Sequence, residues 1–118
     1  MNNTIKIAID AMGGDGSPNK IINGIVHHYK NNKDSFYQIF GDEDKINFLI
    51  NDKIPKNTFE ITHTKDVVKG TDSPLEAAKR GKNTSMWLAI ESVKNKKSDI
   101  VVSAGNTGAL LVIAKLNL

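Results

Sequence analysis

Two glycine-rich turns, each directly after a short apolar run, lie at opposite ends of the sequence: Ile9-Asp10-Ala11-Met12-Gly13-Gly14-Asp15 and Val102-Ser103-Ala104-Gly105-Asn106-Thr107-Gly108-Ala109. Each run is β-branched and short enough for a parallel strand, and each turn opens a segment with helical spacing. Free backbone N–H groups and the helix dipole at such a junction favour negative charge, so the pair suggests one anion site built from both ends of the chain, and phosphate chemistry. Gly13-Gly14-Asp15-Gly16 permits positive φ and close approach of backbone to a ligand, although a tight turn without a ligand has the same composition. The second turn gathers two hydroxyls, an amide and two glycines where parallel strands present ligands at their carboxyl ends; a helix cap by Asn106 or Thr107 uses the same residues. A third group, Asn83-Thr84-Ser85 beside Lys82, combines hydroxyls, N–H donors and a positive charge that can meet an oxyanion, and serves equally well as a helix cap. Neither G-x-G-x-x-G nor G-x-x-x-x-G-K-[ST] occurs, so NAD and ATP are unsupported.

The elements that must position these turns follow from period and punctuation. A strand is expected over residues 5–11, with Ile5, Ile7 and Ile9 on one face. Ser17 is expected to cap a helix over 18–30, with Pro18 at its first position and Ile21, Ile22, Ile25, Val26 and Tyr29 as its apolar stripe. His27 and His28 fall near the end of that helix, where a protonated imidazole complements the dipole, and are assigned no chemistry. Strands are expected over 36–40 and 59–63, with a short helix over 43–50 between them. The pattern weakens over 64–81, where Gly70-Thr71-Asp72-Ser73-Pro74 is a turn cluster and a short helix runs over 74–80; this stretch is the candidate mobile or substrate-facing loop. Met86, Ile90 and Val93 mark a helix over 84–95 with Trp87 as a core or interface anchor. Residues 99–103 read as a buried strand, and a last helix reaches about Leu116. The βαβ alternation implies an α/β fold with a doubly wound, mostly parallel sheet.

With 118 residues, 39% of them hydrophobic and 25% charged, the chain has the size and composition of one modest soluble domain. The net charge of +3 comes mostly from lysine, with clusters at Lys79-Arg80-Gly81-Lys82 and Lys94-Asn95-Lys96-Lys97. These are either solvated faces or docking surfaces for an acidic partner or anionic lipid head groups; without interleaved aromatics they do not indicate nucleic acid. The absence of cysteine excludes disulfides, thiolate catalysis and Cys-ligated zinc. With neither a signal-peptide core nor an apolar run long enough to span a bilayer, the expected location is cytoplasmic.

Four segments, Ile9-Asp10-Ala11-Met12-Gly13-Gly14-Asp15, Gly41-Asp42-Glu43, Asn83-Thr84-Ser85-Met86 and Val101 through Leu110, occur in the order and approximate spacing of the phosphate acyltransferases of bacterial phospholipid synthesis, the PlsX family. The chain resembles the N-terminal part of that family over essentially its whole length. The resemblance implies a fold related to isopropylmalate dehydrogenases and phosphotransacetylases. The implied activity is transfer of a fatty acyl group from acyl carrier protein to inorganic phosphate, without cofactor or metal. The acyl phosphate formed is later used to acylate glycerol 3-phosphate. Such enzymes act as homodimers, with possible contact to the inner face of the membrane or to a glycerol-3-phosphate acyltransferase. On this reading residues 1–118 are a single incomplete α/β domain, and the apolar end Leu110 to Leu118 suggests further chain. Gly13, Gly14, Ser103, Gly105, Asn106, Thr107 and Gly108 would hold phosphate or the acyl-phosphate head, assisted by Lys82 and Ser85. Asp10 and Asp15 would orient donors or accept a proton, and Asp10, Asp15 and Asn106 are the candidate catalytic set. Two other readings use the same residues: a non-catalytic remnant or dimer-interaction module, and an unrelated α/β domain binding another phosphate or a nucleotide.

Overall fold

The computed structural model describes residues 4–118, apart from the side chain of Arg80. Four strands, β1 (Ile5–Asp10), β2 (Ser35–Gly41), β3 (Phe59–His63) and β4 (Ile100–Ser103), alternate with helices α1 (Asn19–Asn31), α2 (Glu43–Ile50), α3 (Pro74–Arg80), α4 (Ser85–Lys94) and α5 (Thr107–Asn117). All strand pairings are parallel, in the order β3-β2-β1-β4. The chain therefore winds outward from β1 to β3 and then crosses back to place β4 on the other side of β1.

Strand alternation assigns one residue set to each face of the sheet. Ile7 and Ile9 of β1 lie in register with Tyr37 and Ile39 of β2, and all four join Ile22 and Ile25 of α1 and Ile46 and Ile50 of α2 in one core. The opposite face presents Ala8 and Phe40 to Ala89 of α4. Ala8 and Ala89 are both fully buried, and their small size lets α4 lie close to the sheet. A further cluster joins Met86, Trp87 and Ile90 of α4 to Ala77 of α3 and Ala109 and Ile113 of α5, which makes Trp87 a core residue. Helices thus lie on both faces of the sheet, as expected for an α/β fold. Among the described residues no helix is long and apolar enough to cross a membrane.

Two sequence expectations are corrected. Ser17 does not cap α1: Pro18 holds the cap position without a side-chain bond, and the Ser17 hydroxyl instead donates back to the Gly13 carbonyl. The turn has taken the hydroxyl that the helix would have used. Nor is β4 a buried strand, because Ile100 and Val102 are 49% and 47% exposed. As an edge strand of the described sheet it pairs only with β1, and its side chains facing the α1 side lie beside that helix rather than beneath it. Ile5, on the same face of β1 as Ile7 and Ile9, is 49% exposed at the start of the strand.

The two glycine turns meet. A β-carbon on Gly13 would lie 2.5 Å from Oδ2 of Asp10 and 3.1 Å from the backbone of Gly105, and one on Gly14, whose φ is +89°, would lie 2.5 Å from the Ala104 carbonyl oxygen. Gly13→Ala therefore drives a methyl group into a carboxylate and a neighbouring main chain, and is expected to destabilise the protein by about 3 kcal/mol or more. At Gly105 the nearest atom to an added methyl is the flexible end of Met86, at 3.1 Å, so Gly105→Ala should cost about 1 kcal/mol. Denaturant titration of the two variants checks that order; an equal loss would mean that the turns do not touch as described.

Tyr37 carries the other polar feature of the main core. Its hydroxyl shares a 2.7 Å hydrogen bond with Nδ1 of His28, and the two rings pack edge to face with centroids 5.8 Å apart. Burial raises the Tyr37 pKa above its ordinary 10.0, partly opposed by a side-chain hydrogen bond with Ser35. Below pH 10 the phenol holds its proton in both folded and unfolded states; as pH rises further the unfolded phenol ionises first, and stability falls through the folded pKa. Tyr37→Phe is expected to lower stability by about 1 kcal/mol at neutral pH and to flatten the alkaline part of the stability profile. Thermal melts from pH 8 to 11 measure both effects, and an unchanged alkaline slope would remove Tyr37 as its source.

Candidate functional site

The site begins with a carboxylate that ends a strand. Asp10 is the last residue of β1, on the face covered by α4, and is 1% exposed. Its Oδ1 accepts from the Ser85 hydroxyl at 2.5 Å and from the Met12 backbone N–H at 3.2 Å. Its Oδ2 accepts from the Ser103 hydroxyl at 2.8 Å. Ser103 in turn accepts from the Gly105 N–H at 3.2 Å. A buried carboxylate needs such donors, and these come from both glycine turns and the first residue of α4. Strand register explains part of the meeting, since Asp10 and Ser103 are direct partners in the β1–β4 pairing.

Above this cluster, at the carboxyl ends of β1 and β4, lies a cavity of about 430 Å³ whose lining includes Gly14, Asp15, Lys69, Gly105 and Asn106. Its third wall is the segment 67–70, part of the stretch expected from sequence to face a substrate. Asn106 fixes that wall. Its Oδ1 accepts from the Ala109 N–H at 3.1 Å, capping α5, while its Nδ2 donates to the carbonyls of Lys69 at 3.2 Å and Asp72 at 2.7 Å. One amide thus joins a helix start to a distant loop. Thr107 and Gly108 follow in the first turn of α5, where N–H groups have no carbonyl four residues back. The second helix start is built in the same way: the Thr84 hydroxyl accepts from the Trp87 N–H at 3.2 Å to cap α4, which leaves Ser85 to reach Asp10.

Of the residues singled out from sequence, Asp10, Gly13, Ser85, Ser103 and Gly105 converge on the buried carboxylate, and Gly14, Asp15, Gly105 and Asn106 line the cavity. Lys82, on the turn after α3, is exposed and outside both groups, and Thr107 and Gly108 lie beyond the lining. Gly108 packs against α3, where an added β-carbon would be 2.7 Å from Cγ of Pro74. Met12 and Lys69 line the cavity without having been singled out. Lys69 lies in the stretch expected to face a substrate, but nothing local singles it out: its carbonyl is held by Asn106, 37 residues away. Among the described residues no three His, Asp or Glu side chains gather as ligands for a metal ion.

Comparison with known proteins bears on the whole of this arrangement. The sequence matches the family described as fatty acid synthesis protein over residues 5–118. It is 75% identical over 118 residues to the phosphate acyltransferase of Pelagibacter ubique (strain HTCC1062), covering all of this chain and 35% of that protein. It is 40% identical over 117 residues to the phosphate acyltransferase of Rhodospirillum rubrum, covering 98% and 34%, and 44% identical over 107 residues to that of Listeria welshimeri, covering 91% and 31%. The chain spans about a third of the length of these relatives. A match that runs from the first strand through the last helix takes in the sheet, both glycine turns and the loop between them, and on it the chain belongs to the fatty acid synthesis protein family.

Proposed function

We propose that this chain supplies the phosphate-binding crevice of a phosphate acyltransferase that moves a fatty acyl group from acyl carrier protein to inorganic phosphate in phospholipid synthesis. The observation that carries the reading is the place of the cavity. The strand order reverses between β1 and β4, and the cavity opens at the carboxyl ends of those two strands, bounded by backbone from both glycine turns. Ligands of open parallel sheets bind at such a reversal. Glycine at positions 14 and 105 lets the two turns pack against each other and bound the cavity with their backbone, and Lys69 at the rim adds positive charge.

In this reaction an oxygen of phosphate attacks the thioester carbonyl carbon. The new C–O bond gives a tetrahedral oxyanion, whose collapse breaks the C–S bond; the thiolate leaves and takes up a proton, and the product is acyl phosphate. No nucleophile from the protein is required. The tasks left to the chain are to hold phosphate, align it with the carbonyl and meet the developing oxyanion with fixed donors. Asp15, exposed at the cavity, is placed to accept the proton of monoprotonated phosphate. Asp10 is a positioning residue in this scheme: it fixes Ser85, Ser103 and, through Ser103, the Gly105 N–H. Asn106 keeps the 67–70 wall against the turn, so that phosphate is enclosed by three segments instead of two. The acyl donor is an acidic carrier, which the exposed lysines of this surface attract.

Asn106→Ala removes the α5 cap and the clamp together. The expected result is a fall of about 100-fold in phosphate-dependent consumption of acyl thioester, with helical content retained by circular dichroism. Full turnover in a folded Asn106→Ala protein would take the clamp out of the mechanism. Asp10→Asn puts an amide N–H against Ser85 or Ser103, both of which now donate to the carboxylate, and is expected to cost about 1–3 kcal/mol of stability. It should also lower turnover. A variant as stable as the parent in chemical denaturation would contradict the role given to Asp10.

A further inference from the structure

Thr64 follows β3 directly and opens the segment that becomes the 67–70 wall. Its N–H donates to the Gly41 carbonyl at 2.9 Å, which ties it to the end of β2, and its side chain is buried. The hydroxyl donates to the Asn83 carbonyl at 2.5 Å and accepts from the Asp66 N–H at 3.2 Å. Both of its hydrogen-bonding roles thus go to main chain, one in the wall and one at the start of α4. A second rung lies beside the first, because the Ser85 N–H donates to the Asp66 carbonyl at 3.0 Å. Ser85 is the first residue of α4, so its N–H has no carbonyl within the helix to meet, and the wall supplies one. The two rungs bracket Thr84, the cap of α4, and place Ser85 where its hydroxyl reaches Asp10.

We infer that Thr64 is a positioning residue for phosphate: its hydroxyl docks the near end of the wall against α4, as Asn106 docks the far end, and so keeps the cavity in the form that holds the anion. The inference rests on the phosphate crevice of the reading above and adds to it a residue outside the cavity lining. Asn106 holds the carbonyls of Lys69 and Asp72, and Val68 is buried between the two anchors with Ala77 and Met86. Only two residues separate Asp66 from Lys69, so the direction in which the chain leaves Thr64 limits where the main chain of Lys69 can lie. Valine has the shape of threonine but can neither donate nor accept, and it would leave the wall docked for only part of the time. A ligand that binds the docked form then loses apparent affinity in proportion to that fraction. Once phosphate is bound the wall is docked again, and the chemical step runs as in the parent protein.

The test compares Thr64→Val and Thr64→Ser with the parent protein in phosphate-dependent consumption of acyl thioester. For Thr64→Val the KM for phosphate is expected to rise at least fivefold, with kcat and the KM for the thioester each within twofold of the parent. Thr64→Ser, which keeps the hydroxyl, should bring the phosphate KM back to within twofold. A lower kcat with the phosphate KM unmoved, equal rises in both KM values, or a serine variant as weak as the valine one would overturn the inference. Hydrogen exchange in the parent protein needs no variant and decides the matter if Thr64→Val does not fold. Saturating inorganic phosphate is expected to slow exchange of the Asp66 and Ser85 amide hydrogens at least fivefold, and unchanged exchange at both sites with phosphate bound would overturn the role of Thr64 while leaving the acyl-transfer reading intact. A parent protein that consumes no thioester would overturn that reading instead, and slowed exchange at the two amides in the same protein would still support the hold of Thr64 on an anion cavity.

Discussion

One buried carboxylate organises the whole carboxyl-terminal edge of the sheet. Asp10 is nearly inaccessible to solvent and takes hydrogen bonds from the turn after β1, from Ser103 at the end of β4 and from Ser85 at the start of α4. Removing a charge from water is costly unless donors replace the lost hydration, so burying Asp10 obliges three separated parts of the chain to converge. The close approach of Gly13 to Gly105 is the steric counterpart of that demand: a side chain at Gly13 would strike the carboxylate and the facing turn together. Electrostatics and packing therefore impose the same arrangement, and the cavity above is what remains between the segments they bring together.

Strand order gives this convergence its location. Because β4 returns to the opposite side of β1 from β2, the turns that follow β1 and β4 lead away from each other, α1 toward one face of the sheet and α5 toward the other, and a crevice opens between them. A sheet of the same four strands in sequential order would have put β4 beside β3, and Asp10 and Ser103 would no longer be register partners. The alanines at 8 and 89 matter for the same reason: they let α4 approach closely enough for Ser85 to reach Asp10.

Much of this was legible in the sequence, and the failures have physical causes. All four strands and five helices follow from apolar period and glycine or proline punctuation, with boundaries differing by a residue or two, since these signals are local. Both glycine turns were legible too, because a need for backbone approach leaves a compositional trace. What could not be read was which hydroxyl goes where. Ser17 has the ordinary sequence context of a cap, yet its bond returns to Gly13, a choice settled by the turn's geometry. The exposure of Ile100 and Val102 was equally hidden, because a β-branched run specifies a strand without specifying how many of its faces are covered. The 64–81 stretch was legible as a candidate substrate-facing loop, but which of its residues meets the cavity was not, since Lys69 is held by a partner 37 residues away and no periodicity encodes such a distance.

The side-chain amide of Asn106 accepts from the first turn of α5 and donates to two loop carbonyls, which makes those two regions thermodynamically linked. Fraying of the helix start weakens the loop's anchorage, and departure of the loop leaves the cap less constrained. A ligand that stabilises the clamped loop therefore also disfavours local opening of the α5 start, to the extent that the opening breaks the clamp. Amide hydrogens in the first turns of that helix thus act as reporters of occupancy, although the helix points away from the cavity.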